Sequence, residues 1–301
     1  MSELPANRII VTGGRGRLAS LIADHFPPAA GELVLYSRKA GDGFHALDQL
    51  TDPAQLDGAA VLLHLAWSTL PATSEESGGI EAQQDLPYLE KLLVAFAAVP
   101  AARRPLFVFL SSGGTVYGPA PGRPSVEDDD CRPISWYGRA KVAAEEIIRQ
   151  HTASSGLACA ILRITNPYGY PIPKSRAQGI IPHAVRCAAE KQPLTLYGDG
   201  SARKDFLYYT DFLAALNQVV ARRLTGTFNI AAGESHSLNE VIAIVEKHAG
   251  LPVLLHRQPV RTWDVLDCRL DNRRFCAATG WRPLVSLSEG IRRSTVGYVA
   301  H

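Results

Sequence analysis

Short apolar runs bounded by turn residues alternate along the chain with longer stretches in which apolar positions recur at helical spacing. Arg8–Thr12, Leu33–Tyr36, Ala60–Ala66, Leu106–Ser111 and Ala158–Ile164 are apolar almost throughout, the pattern of strands covered on both faces of a parallel sheet. Leu18–His25, Glu81–Val99 and Tyr137–Ser154 predict helices between them. Alternation of this kind predicts an α/β fold built on a doubly wound parallel sheet. After Asn166 the texture changes. Pro167, Pro171 and Pro173 interrupt the chain, and shorter elements follow. These are a helix at Ile180–Lys191, a strand at Leu194–Tyr197, a helix at Asp211–Arg222, a strand at Gly226–Ile230 and a helix at Leu238–Ala249. The division predicts a larger doubly wound domain over 1–166, to which 206–232 returns, and a smaller mixed α/β lobe from 167–205 and 233–301.

Composition narrows the class without adding chemistry. The 301 residues are 46% hydrophobic and 20% charged, ordinary for a globular enzyme. A net charge of +2, well dispersed, argues against a nucleic-acid partner. The run Glu127-Asp128-Asp129-Asp130 reads as a solvated loop. Cys131, Cys159, Cys187, Cys268 and Cys276 are scattered, which predicts reduced thiols, no disulfide framework and no metal site. The chain reaches its first strand by Ile9 with no apolar signal region, and no apolar stretch could span a bilayer. A cytoplasmic protein without a membrane partner is the expectation.

The first strand runs into Thr12-Gly13-Gly14-Arg15-Gly16-Arg17-Leu18-Ala19. Gly13 and Gly16 allow a tight turn and a close approach to a pyrophosphate, with the N-terminus of the next helix facing its charge. A plain strand-to-helix turn is the alternative, and the position after the first strand of a βαβ unit favours the cofactor. An NAD-selective site usually has a carboxylate at the end of the second strand. Here Ser37-Arg38-Lys39 stand there, suiting the 2′-phosphate of NADP more than NAD. Alternatively this is a basic turn, and Asp42 or Asp48 serves the adenosine.

Further on come His64-Leu65-Ala66-Trp67 and Ser111-Ser112-Gly113-Gly114-Thr115-Val116-Tyr117-Gly118, then Tyr137-Gly138-Arg139-Ala140-Lys141. One helical turn puts Tyr137 and Lys141 on one face. An ammonium near a phenol favours phenolate and lowers its pKa from about 10. Such a phenol can exchange a proton with a sugar hydroxyl while hydride moves to or from a nicotinamide.

Together, TGGRGRLA, HLA at Leu65, SSGGTVYG, YGRAK, Arg163–Gly169, Gln178–Pro182, Tyr197–Phe206 and Asp264–Arg274 resemble the extended short-chain dehydrogenase/reductases. The resemblance is to the NAD-dependent epimerase/dehydratase family that includes UDP-glucose 4-epimerases, and it covers nearly the whole chain. It implies a Rossmann dinucleotide domain, with Leu65 and Ala66 also at the cofactor. It further implies a nucleotide-diphosphate sugar as substrate, and a homodimer through helices matching Glu81–Val99 and Tyr137–Ser154. Leu86, Leu89, Leu93 and Phe96 of the first helix read equally well as core.

The chain departs from the family in several places. Gly113 stands where many members have the hydroxyl that bonds the reacting sugar oxygen, leaving Ser112 or Thr115 to supply it. Gly114 and Thr115 replace the Asp-Glu pair of sugar-nucleotide 4,6-dehydratases, which disfavours dehydration. Lys204, preceded by Arg203, replaces the usual phosphate arginine, and either cation could meet a diphosphate. Arg261 and Asp264 match contacts to diphosphate and ribose, or form a surface salt bridge. Asn166 matches a diphosphate contact, Thr195 and Tyr197 line the nucleobase, and Trp67 faces the sugar or packs in the core. The leading expectation is a nucleotide-sugar 4-epimerase working through a 4-keto intermediate. The alternatives are an NADPH-dependent 4-ketoreductase of a 4-keto-6-deoxy sugar and a non-catalytic NADP sensor, though the retained Tyr137 and Lys141 disfavour the sensor.

Overall fold

The computed structural model describes residues 8–26, 31–120, 122–170 and 179–299; Pro171, Pro173 and Gln178 lie outside them. Its elements begin with β1 (Arg8–Thr12), α1 (Arg17–His25), β2 (Glu32–Ser37), β3 (His45–Ala46), α2 (Pro53–Leu56) and β4 (Val61–His64). They continue with α3 (Pro71–Glu76), α4 (Glu81–Ala98), β5 (Leu106–Ser112), α5 (Trp136–Ser155), β6 (Cys159–Ile164) and β7 (Asn166–Tyr168). Next are α6 (Ile180–Glu190), β8 (Leu194–Tyr197), β9 (Arg203–Tyr208), α7 (Tyr209–Arg222) and β10 (Gly226–Ile230). The chain ends with β11 (Ser235–Ser237), α8 (Leu238–Ala249), β12 (Leu255–Gln258), α9 (Arg273–Thr279) and α10 (Leu287–Val299).

A seven-stranded sheet has the order β10-β6-β5-β4-β1-β2-β3. The pairs β1–β2, β1–β4, β4–β5 and β2–β3 are parallel. Its inner strands are apolar because both faces are covered: Ile9, Ile10, Leu62, Leu63, Phe107 and Val108 are fully buried. The strand order reverses between β1 and β4, and in open α/β sheets ligands bind outside the carboxyl ends of strands at such a point. Leu89, Leu93 and Phe96 of α4 pack into the core with Phe107, Phe109 and Ile148. That burial accounts for their apolar spacing.

The chain divides into two compact units. The first comprises 1–112, 135–163 and 216–228; the second comprises 113–134, 164–215 and 229–301. The second unit has a three-stranded sheet β11-β9-β7 and a two-stranded sheet β12-β8. Its core gathers Tyr168, Ile181, Val185, Leu196, Phe206, Val241, Val245 and Ile291.

Two expectations need correction. β4 stops at His64 rather than Ala66, because the Leu65 and Ala66 amides leave the ladder and donate to Thr12 Oγ1, both at 3.0 Å. The acidic run is not simply solvated. Glu127 is buried and accepts from the Asn229 amide at 2.9 Å, while Asp129 pairs with Arg123 at 2.6 Å. Asp128 and Asp130 stay exposed, yet Asp128 still pairs with Arg274, so three of the four carboxylates knit the second unit together.

Candidate active site

At the carboxyl end of β1 the backbone must turn where there is no room for a side chain. Gly13 has φ +72°, and a Cβ there would lie 2.9 Å from the Ala66 amide nitrogen. Gly16 caps α1 in an extended conformation with no side chain bonding the first turn. A helix N-terminus left uncapped behind a glycine turn suits a phosphate. Thr12 fastens this loop to the end of β4. Its hydroxyl accepts from two amides and lies 2.9 Å from His64 Nδ1. The hydroxyl proton therefore points to Nδ1, so His64 is neutral with its proton on Nε2. Burial, seconded by the charge of Lys141, pushes His64 down to about 3. Gly13, Gly16, Leu65 and Ala66 are thus brought together at the strand-order reversal, with Arg17 and Leu18 opening α1.

The end of β2 places Ser37 buried, with Arg38 and Lys39 exposed. Arg38 and Lys39 make no hydrogen bond or ion pair within the described residues. Asp48 lies exposed in a 3-10 turn, Leu47–Thr51. Asp42 is already engaged: Arg15 pairs with it at 3.0 Å and lies 4.4 Å over the Phe44 ring.

Ser135 starts α5, its side chain accepting from the Gly138 amide at 3.0 Å. That cap fixes Tyr137 and Lys141 in the first two turns. Lys141 is 4% exposed. Its ammonium donates to the Leu110 carbonyl at 3.0 Å and lies 3.7 Å from the Trp67 ring, 4.7 Å from Phe109 and 5.6 Å from Tyr137. Trp67 meets Tyr137 edge-on, at 6.4 Å between centroids. Trp67 therefore joins the Tyr137–Lys141 pair rather than merely filling core, and its indole N–H is buried without a partner. Burial drives Lys141 down to about 7, against the upward pull of Asp85, Glu145 and Glu81.

The phenol corrects an expectation. Lys141 was expected to lower the Tyr137 pKa, but burial raises it, and Glu81 and Asp85 raise it further. Desolvation disfavours the phenolate, and the two carboxylates repel it. Glu81 and Asp85 were missed in the sequence. A carboxylate opening a helix reads as an ordinary N-terminal signal. What would have found them is their spacing, one turn apart at the start of α4, the second helix after β4.

Ser112 ends β5 half-buried in the first unit. Thr115 belongs to the second unit, and its hydroxyl is buried with no partner. Elsewhere in the second unit the amide of Asn166 donates to the Asp205 carbonyl at 2.8 Å. Thr195 and Tyr197 lie on β8, and the Arg261 guanidinium is 3.4 Å over the Tyr197 ring and 5.1 Å from Trp263. Lys204 pairs with Asp264 at 2.6 Å and also donates to the Val265 carbonyl. Asp264 therefore pairs with Lys204, and Arg261 stacks. Arg203 turns to β11 and α8, donating to the Ser235 carbonyl at 2.5 Å and lying 3.6 Å from Glu240. Of the two adjacent cations, Lys204 shares its surroundings with Asp264, and Arg203 does not.

A doubly wound sheet, a glycine turn at its order reversal and a Tyr-x-x-x-Lys pair define a nicotinamide-dependent enzyme of the short-chain dehydrogenase/reductase type. The chain belongs to the NAD dependent epimerase/dehydratase family, whose sequence profile matches residues 9–231. It is 32% identical over 186 residues to a putative UDP-glucose 4-epimerase of Methanocaldococcus jannaschii, covering 62% of this chain and 60% of that one. It is 33% identical over 186 residues to a dTDP-4-dehydro-6-deoxyglucose reductase of Escherichia coli, covering 61% and 58%. Both matches span under two thirds of the relative's length. The crystal structure of the UDP-glucose 4-epimerase of Thermus thermophilus in complex with NAD superposes with a TM-score of 0.85 at 26% identity, covering 97% of this chain and 99% of that one. No helix among the described residues is long and apolar enough to cross a membrane.

Proposed function

We propose that the chain is an NAD(P)-dependent nucleotide-sugar 4-epimerase acting through a 4-keto intermediate. The observation that carries this reading is the Tyr137–Lys141 pair, held on α5 by the Ser135 cap and covered by Trp67. The glycine turn and uncapped α1 fit a dinucleotide, with Gly13, Gly16, Arg17 and Leu18 at the pyrophosphate and Leu65 and Ala66 beside them. Bound there, a nicotinamide would accept and return a hydride. Tyr137 takes the proton from the sugar 4-hydroxyl and gives it back after the ketone has turned over. The Lys141 ammonium steadies the phenolate and can bond a ribose hydroxyl. Ser112, half-buried at the end of β5, or Thr115, whose buried hydroxyl has no partner, bonds the reacting oxygen. Residues of the second unit would hold the nucleotide diphosphate: Lys204, Arg203 and Asn166 at phosphate, Asp264 and Arg261 at ribose and diphosphate, Thr195 and Tyr197 at the base. In this reading 1–166 with 206–232 binds cofactor, while 167–205 and 233–301 bind substrate. The family resemblance supports a cytoplasmic homodimer.

A second reading, NADPH-dependent 4-ketoreduction, is favoured by the exposed Arg38 and Lys39 beside Ser37. Those groups suit a 2′-phosphate, and Tyr137 would then donate its proton to a nucleotide-linked 4-keto sugar. Denaturing the purified protein and identifying the dinucleotide released, then assaying UDP-glucose and UDP-GlcNAc without added cofactor, separates the two. Stoichiometric dinucleotide with turnover is the epimerase result. An empty protein that oxidises NADPH only with a 4-keto sugar would overturn it. Tyr137→Phe should lower turnover by about 10²–10⁴-fold while leaving dinucleotide occupancy unchanged.

A further inference from the structure

Glu81 and Asp85 sit one turn apart at the start of α4, on one face. Glu81 is 0% exposed. One of its oxygens accepts from the Thr69 hydroxyl, and the other is buried without a partner. Asp85 accepts from the Ser68 amide at 3.1 Å and the Ser68 hydroxyl at 2.8 Å. Ser68 and Thr69 directly follow Trp67, whose ring covers Lys141 and meets Tyr137. The two carboxylates therefore clasp the loop that roofs the Tyr137–Lys141 pair, and they bring two negative charges next to it.

We infer that Glu81 and Asp85 are an acidic positioning pair that holds Lys141 as its ammonium, biases Tyr137 toward the phenol, and so sets the pH at which the site works. This rests on the reading of Tyr137 as the acid–base group. The other charged groups about the pair do not supply the same bias. Glu145, on the next turn of α5, also pulls on Lys141, but it is tied to Arg163 and Arg149 at 2.7 Å each, and the carboxylates acting on Tyr137 are Glu81 and Asp85. His64 on β4 is neutral, β5 offers only the Leu110 carbonyl, and Glu75 of α3 is bonded to the Trp136 amide at 2.7 Å. Burial pushes the half-buried Asp85 carboxyl up, and the Ser68 hydrogen bonds and the charge of Lys141 oppose that rise. Two carboxylates beside one lysine make the cluster net negative, and net negative charge opposes a phenolate.

The test is a tyrosinate titration. Ultraviolet absorbance of the holoenzyme is followed against pH, and subtraction of the same curve for Tyr137→Phe isolates Tyr137. Asp85→Asn and Glu81→Gln, which keep side chains able to bond Ser68 and Thr69, should each move this titration down by about one pH unit. The acidic limb of the kcat/KM profile should move with it, and Asp85→Glu should restore the wild-type curve. A Tyr137 that ionises only in the neutralised variants supports the inference equally. An unmoved titration, or no phenolate signal in wild type and variants alike, overturns it and leaves the pair as loop anchors. Should one variant fail to fold, the other carries the test. If the wild type turns over no nucleotide sugar, the epimerase reading fails, and the titration still decides the inference.

Discussion

Lys141 and Glu145 stand one turn apart on α5 and are 4% and 0% exposed, yet their charges are handled in opposite ways. Glu145 is surrounded by matched donors. Arg163 reaches it at 2.7 Å through Nη2 and at 3.1 Å through Nε, Arg149 at 2.7 Å and the Ser111 hydroxyl at 2.6 Å. Burial pushes this carboxyl up, but the Arg163 guanidinium, helped by Ser111 and Arg149, holds it below the usual range. Lys141 has one carbonyl, aromatic faces and two nearby carboxylates that are bonded elsewhere, and burial carries it to about 7. A charge paired on all sides stays fixed and serves the fold. A charge supported from one side stays close to neutrality, where a site needs its proton handling.

Breaking the paired turn gives the largest expected effect. Glu145→Ala leaves the Arg163 guanidinium, 2% exposed, without its carboxylate, and should cost about 3–5 kcal/mol of stability. Urea unfolding at neutral pH measures it. The double variant Glu145→Leu with Arg163→Met should recover most of the loss, because no buried charge is then stranded. A single-variant loss below about 1 kcal/mol would mean that the pair is no tighter than a surface ion pair.

How much of this was legible follows the range of the forces involved. β1, β5 and β6 were readable because both sheet faces are covered and their residues are apolar without alternation. β12 was not: Leu255–Gln258 is mostly exposed and has no apolar pattern. Backbone pairing with β8 fixes it, helped by the Arg257 side chain donating to the Gly198 carbonyl at 3.3 Å. Tyr137 and Lys141 were readable from a four-residue spacing that one helical turn converts into a shared face. The company of Lys141 was not, since Trp67, Phe109, Glu81 and Asp85 arrive from the β4 loop, β5 and α4. Lys204 with Asp264 likewise joins positions sixty residues apart, a pairing that no local pattern contains.

A second test concerns His64, whose charge is suppressed beside Lys141. Its folded pKa, about 3, lies below its ordinary 6.5, so the unfolded chain binds the extra proton between those values. His64 therefore contributes stability that is full above pH 6.5 and falls as pH drops toward 3, by about 1.4 kcal/mol per unit. Asp205 acts in the opposite sense. Raised by burial to about 7, it contributes stability at low pH that is lost as pH rises from its ordinary value through 7. Comparing wild type with His64→Gln cancels the Asp205 contribution. At pH 5 the wild type should have lost about 2 kcal/mol relative to the variant's own change from pH 6.5. Parallel curves would show that His64 titrates normally in the folded protein and that the environment of Lys141 does not exclude a second charge.

The smallest expected effect falls on the roof of the one-sided turn. The Trp67 face, 3.7 Å from the Lys141 ammonium, favours the charged form, and such a contact is worth about 1 kcal/mol. Trp67→Leu should lower the Lys141 pKa below its value of about 7. Where both proteins carry the ammonium, near pH 5, they should bind dinucleotide alike. Around pH 7 the wild type keeps about half of the charge and the variant much less, and its affinity should be about threefold weaker. Above pH 8 the two should converge again as the wild-type lysine also neutralises. Trp67→Phe keeps an aromatic face and should follow the wild type. Fluorescence titration with dinucleotide across this range reads the difference. A deficit of constant size from pH 5 to pH 8 would show that the indole only packs, and that Lys141 owes its charge to Asp85, Glu145 and Glu81.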